Sequence, residues 1–218
     1  MKNQVRKLVA AAVLLGSAAA AHAAFIPLDS GVASDTVDIK STNDFKSTFA
    51  SLGVYEYTLG ASLGTDAAGT VTYYYYGKEA RYQNDFAAGD LWHSSGSTPQ
   101  MQNGFGDPFE IGTLDVTGGL LDFGFCAFSA TSDVGCVTNA QNDGLGIGSW
   151  QSIAYSIVGD TAWLFWDDSG AGPDDDHDDM LIKAVFKPTS VPEPGTLALF
   201  GVGLLGLVAG ARRKQKRG

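Results

Sequence analysis

An all-β fold, an antiparallel β-sandwich or jelly-roll-like single domain, is what residues 24–190 predict, and three observations carry the prediction. Short runs rich in Tyr, Phe, Val and Thr recur along the chain, several alternating apolar and polar residues as half-buried strands do. Clusters of Gly, Asp, Asn and Ser separate them at turn spacing. Acidic positions are filled almost wholly by Asp, a turn and loop former, rather than by the helix former Glu. With eight to ten such runs and no amphipathic helix of three turns, a two-layer β architecture follows.

Taken in order, residues 36–40 read as a first short strand, and 43–51 hold the one weak helical stretch. Residues 52–59 (LGVYEYTL) and 70–76 (TVTYYYY) are strands. The four successive tyrosines put two rings on each face, which suits a core strand and, as a second use, a surface for sugar stacking. Residues 77–92 (GKEARYQNDFAAGDLW) are less regular, and 94–99 form a Ser/Gly/Pro loop in whose approach His93 stands alone. Residues 109–117 and 120–128 flank Gly118-Gly119, a strand–turn–strand pattern that predicts a hairpin. A Gly/Asn/Asp loop follows at 139–148. Residues 153–158 and 161–166 repeat the hairpin pattern around Gly159-Asp160, and 180–186 (MLIKAVF) form the last strand.

Charge excludes one class of partner. The whole chain of 218 residues is at −10, but residues 24–190 alone carry 23 acidic and six basic side chains, a net −17. Such a surface repels phosphate backbones, so nucleic-acid binding is excluded. The two cysteines, Cys126 and Cys136, both lie in this body, and in an oxidising compartment they predict a disulfide across a turn between strands.

The two ends are addresses rather than fold. Lys2, Arg6 and Lys7 precede an apolar run of small residues, and Ala21-His22-Ala23 is an A-x-A cleavage site; residues 1–23 read as a signal peptide of the general secretory route, with Ala24 as the mature N-terminus. At the other end, residues 191–218 begin with the triplet Pro192-Glu193-Pro194, whose prolines stop any helix from continuing through them. Residues 196–211 are uncharged, and sixteen residues of helix span about 24 Å against a bilayer core of ~30 Å. A basic tail at 212–217, opened by Arg212 and Arg213, stays cytoplasmic by the positive-inside rule. A plain transmembrane anchor fits these features. Triplet, apolar helix and basic end in this order also resemble the PEP-CTERM sorting signal of Gram-negative bacteria. That resemblance implies an exported protein held in the inner membrane by its C-terminal segment until an exosortase-type transpeptidase removes it.

Chemistry concentrates at 166–179, WDDSGAGPDDDHDD, with seven carboxylates in fourteen residues between two apolar strands. Like charges some 4 Å apart repel by roughly 4 kcal/mol at an effective dielectric near 20, a repulsion that a bound cation offsets. Oxygen ligands select calcium over zinc or copper. The expected ligands are Asp167, Asp168, Asp174, Asp176, Asp178 and Asp179, with Asp174, Asp176 and Asp178 at i, i+2 and i+4. No EF-hand is present: Asp179 and Val185 stand where that loop needs Gly and Glu. A solvated acidic loop, with His177 paired in solvent to an Asp, is the plainer alternative.

The stretch also resembles a β domain of unassigned function in bacterial surface proteins that ends in a FEDL block, glycines, SDxDFND and an apolar strand. Phe165 to Asp168 match the first block, Asp174, Asp176, His177, Asp178 and Asp179 the second, and residues 181–186 the strand. Residues 81–86 (RYQNDF) and the Gly118-Gly119 turn look similar as well. His177 in place of an aromatic and Asp178 in place of Asn are departures. The resemblance implies an extracellular module with calcium sites and no reaction.

No nucleophile elbow, zinc-protease helix or phosphate loop occurs, so no catalytic residue is assigned. The expected function is that of a cell-surface or extracellular-matrix protein, structural or adhesive, associated with exopolysaccharide or biofilm, with Ca2+ as cofactor and polysaccharide as a candidate partner. The alternative is a secreted carbohydrate-active hydrolase that uses the loop carboxylates.

Overall fold

The computed structural model describes residues 23–29, 34–80, 82–96, 108–128, 133–142, 151–168 and 176–189. The chain divides after Pro188 into two units, and every strand below belongs to the first. The expected signal peptide, the sorting triplet with its apolar helix, and Asp174 lie outside the described residues. No helix among those described is long and apolar enough to cross a membrane.

The described body is an antiparallel β structure, as its strand patterns predict, built from fourteen short strands and one six-residue helix. Seven strands make the large sheet. Across it run β2 (Asp35–Asp38), β3 (Glu56–Leu59), β12 (Ser152–Val158), β13 (Thr161–Asp167), β14 (Met180–Pro188), β5 (Gly69–Gly77) and β8 (Phe109–Val116). A four-stranded sheet runs β11 (Asp133–Thr138), β10 (Phe123–Phe128), β6 (Gln83–Ala88) and β7 (Leu91–Ser94). A small third sheet joins β1 (Phe25–Leu28), β4 (Ser62–Thr65) and β9 (Gly119–Leu120).

Period-two alternation sorts β13 between two cores. Ala162, Leu164 and Trp166 face a core shared with Phe86 of β6, Phe123 and Phe125 of β10, and Phe25 and Leu63 of the small sheet. Trp166 stacks on Phe125 with ring centroids 5.3 Å apart. Trp163 and Phe165 point the other way, into a second cluster with Ile39, Phe45, Phe49 and Tyr57. Helix α1 (Lys46–Ser51), where the weak helical stretch stood, closes that face through Phe49, which packs against Trp163 and Phe165 at 5.3 and 4.8 Å. With both faces covered, β13 reads as an almost unbroken apolar run.

Three expectations are corrected. Gly118-Gly119 do not turn a hairpin: β8 pairs with β5 in the large sheet, whereas β10 pairs with β6 and β11. Both glycines hold positive φ, 90° and 88°, and carry the chain out of one sheet toward another, a sharp change of direction that Cβ-bearing residues resist. The irregular stretch after residue 77 is in fact the hairpin β6–β7, whose turn Gly89-Asp90 has Gly89 at φ 52°. His93 is therefore a strand residue, its ring sandwiched between Tyr75 (4.4 Å) and Phe109 (5.3 Å). Of the four tyrosines, Tyr73 is buried in the first core, Tyr75 packs against it, and Tyr76 meets Trp163 edge-on at 5.0 Å in the second.

Cys126 and Cys136 are directly opposed on β10 and β11 and form the expected disulfide. It closes a loop of ten residues' separation at the edge of the four-stranded sheet. So short a loop removes a modest chain entropy, about 2.7 kcal/mol. Reduction should accordingly lower the unfolding midpoint by about 5–10 °C, measured by calorimetry with and without dithiothreitol, and leave the fold intact.

Candidate functional site

At one end of the sandwich five segments of the chain meet. Asp167 and Asp168 leave β13, while His177, Asp178 and Asp179 lead into β14. Lys78 and Glu79 follow β5, which pairs with β14 through Gly77 and Leu181. Asn84 arrives from β6 of the opposite sheet. Asn43 and Asp44, just before α1, complete the wall.

The carboxylates are held by name. Asp179 Oδ2 accepts from the Asp168 N–H at 2.7 Å, and the Asp179 N–H donates to the Trp166 carbonyl at 3.0 Å. Asp178 Oδ2 accepts from the Asp44 N–H at 2.7 Å, and the Glu79 N–H donates to the Asp178 carbonyl at 3.1 Å. Asp168 Oδ2 accepts from Asn84 Nδ2 at 2.9 Å. Asp178 and Asp168 are thus fixed by donors from outside the β13–β14 connection, and Asp179 by a donor across its base.

Glu79, Asp178 and Asp179 bring one oxygen each within 4.8 Å of the others. Asp178 is almost fully buried, and Asp167 and Asp168 are buried beside it. Burial pushes the Asp179 carboxyl up to about 9, reinforced by the charge of Asp168 and opposed by the Asp168 N–H. Burial likewise pushes Asp178 up to about 8; the Asp44 N–H opposes this, and Asp176 and Glu79 add to it. Low dielectric and like charge disfavour ionisation together. Lys78 supplies a positive charge from within: fully buried, its ammonium donates to the carbonyls of Tyr82 and Gly96. Burial lowers its pKa, against the pull of Asp168 and Asp179.

His177 is corrected from a solvated loop residue to a buried one. Its Nε2 lies 2.8 Å from Ser152 Oγ, its Nδ1 3.9 Å from Asp167 Oδ2, and its ring 5.1 Å from Tyr57. Among the described residues it is the one non-glycine with positive φ, 58°, a strained conformation that persists where surroundings over-determine it. The Asn43 amide donates to the Asp176 carbonyl at 2.7 Å and pins the turn from outside.

Of the six predicted ligands, the fold gathers Asp178 and Asp179 with Asp168 alongside and Asp176 against Asp178. Asp167 is turned toward His177 instead, and Asp174 lies outside the described residues. Sequence reasoning missed Glu79, Lys78 and Asn84. For Lys78 and Glu79 the local signal was a Lys-Glu pair directly after a strong strand, and for Asn84 it was the resemblance of residues 81–86.

Residues 190–214 match the PEP-CTERM protein-sorting motif. That match bears out the resemblance of the C-terminal segment and implies a secreted protein anchored at the membrane before exosortase processing. No curated protein and no solved structure matches the chain.

Proposed function

We propose that the chain is a structural or adhesive component of the cell surface or extracellular matrix of a Gram-negative bacterium, whose sandwich is locked at one end by a calcium ion. The observation that carries this reading is the convergence of Glu79, Asp178 and Asp179 from two strands onto one point. Asp176 and Asp168 stand at its edge. Hard carboxylate oxygens of this number suit Ca2+, which takes six to eight ligands in loose geometry and accepts backbone carbonyls and water for the rest. The ion would join β5 to β14 and hold the segment after β13 against both. A sorted, exported location supplies the millimolar calcium that a weak extracellular site requires.

Titration calorimetry on the processed protein tests it. Calcium should bind with a stoichiometry near one, Asp178→Asn and Asp179→Asn should each weaken binding at least tenfold, and magnesium should compete poorly. Absence of binding heat at millimolar calcium, with both variants folded, removes the metal from the reading and leaves the sorting.

A further inference from the structure

We propose that export processing cuts the chain between Ala23 and Ala24 and that the ammonium group released at Ala24 docks on the carboxylate of Asp66. Two independent observations converge on this bond. In the sequence, Ala21 and Ala23 supply the small residues that a signal peptidase requires on the leaving side. In the structure, the Ala24 nitrogen lies 2.7 Å from Asp66 Oδ1, and the Asp66 N–H donates to the Ala24 carbonyl at 3.1 Å.

The pair extends the β1–β4 ladder by one step beyond Phe25 and Thr65. A side-chain carboxylate stands opposite the nitrogen of the one residue that cleavage would make terminal. While Ala24 is in peptide linkage, that nitrogen is a neutral amide with one proton to donate. Hydrolysis of the Ala23–Ala24 bond adds water across it: the hydroxyl goes to the Ala23 carbonyl, and the Ala24 nitrogen, gaining protons, becomes a cation at neutral pH. The existing neutral-donor contact then becomes a charge-assisted one, about twice as strong, with no movement of either partner.

The register leaves no slack. Phe25, the next residue, is buried in the first core against Phe186 at 5.7 Å, so a cut further downstream strips an anchor from the small sheet. Processing and the start of β1 coincide, and Asp66 is the acceptor that senses whether the cut has been made. The site takes a primary ammonium on an N-terminal alanine, and this role is independent of the acidic cluster at the opposite reach of β14.

The exported protein tests the proposal directly. Its intact mass and N-terminal sequence should begin at Ala24; any other first residue overturns it. Selective acetylation of the α-amine near neutral pH, where lysines remain protonated, keeps the N–H donor but removes its charge. That modification should lower the unfolding midpoint by about 1–3 °C in the wild type, as expected for an exposed ion pair. In Asp66→Asn, a surface change that leaves the core untouched, acetylation should shift the midpoint by less than half as much. An equal shift in both proteins overturns the docking.

Discussion

Asn84→Ala should lower the unfolding midpoint by about 10–15 °C, read by calorimetry or by loss of near-ultraviolet dichroism. Asn84 is completely buried. Its Oδ1 accepts from Trp166 Nε1 at 3.2 Å, and its Nδ2 donates to Asp168 Oδ2 at 2.9 Å and to the Asp179 carbonyl at 3.2 Å. Truncation removes the acceptor of a buried indole N–H and the donor to the Asp179 carbonyl, each at about 1–3 kcal/mol, and takes one donor from Asp168, for a total of roughly 3–5 kcal/mol. At 2–4 °C per kcal/mol in a domain of this size, the midpoint falls by the stated amount. Asn84→Asp separates packing from charge. It keeps the acceptor for Trp166 but points a further carboxylate at Asp168. It should therefore be worse than alanine at pH 8 and recover on acidification. If both variants melt within 1 °C of the wild type, the amide does not tie the core to the acidic cluster.

The second large effect couples calcium to pH. Asp178 and Asp179 titrate in the fold near 8 and 9, against about 3.9 in an unfolded chain. Over the interval between, the native state holds protons that the unfolded state has released. Stability of the metal-free protein therefore falls as pH rises from about 4 through the folded values. Calcium needs the ionised carboxylates and displaces those protons. Extracellular sites have dissociation constants of about 0.1–1 mM, so calcium at about 10 mM adds roughly 1.4–2.7 kcal/mol once the ligands are ionised. The midpoint should rise by about 3–10 °C on adding calcium at pH 9 and by less than 2 °C at pH 5. A calcium shift of equal size at both pH values, or a metal-free midpoint flat between pH 5 and 8, defeats the scheme.

What was legible in the sequence is what local patterning encodes. TVTYYYY, the SIAYSIV and TAWLFW pair around Gly159-Asp160, and MLIKAVF became β5, the β12–β13 hairpin and β14. Where partners are decided by distant chain, the reading failed. Gly118-Gly119 offered hairpin chemistry, but β8 found β5 and β10 found β6, because each strand's apolar face was claimed by a different sheet. QNDFAA was hard to recognise as a strand because Asn84 and Asp85, two polar residues, are buried in it. The acidic cluster was half visible. Its aspartates crowd one loop, but Glu79, Lys78 and Asn84 come from roughly 80 to 100 residues earlier, and no spacing rule reaches that far. His177 looked solvated because its neighbours are all charged; its burial depends on a left-handed turn and on Tyr57 beneath it.

The position of β14 bears on how the molecule is made. It is the last strand of the body, yet it sits inside the large sheet between β13 and β5, and it ends at Pro188, two residues before the sorting match begins. That gap is sealed only when residues 180–188 pair with both neighbours. Until then β13 and β5 lack a common neighbour. Closing the large sheet therefore waits on the last described strand, and a chain interrupted short of Met180 would be left as a target for proteolysis.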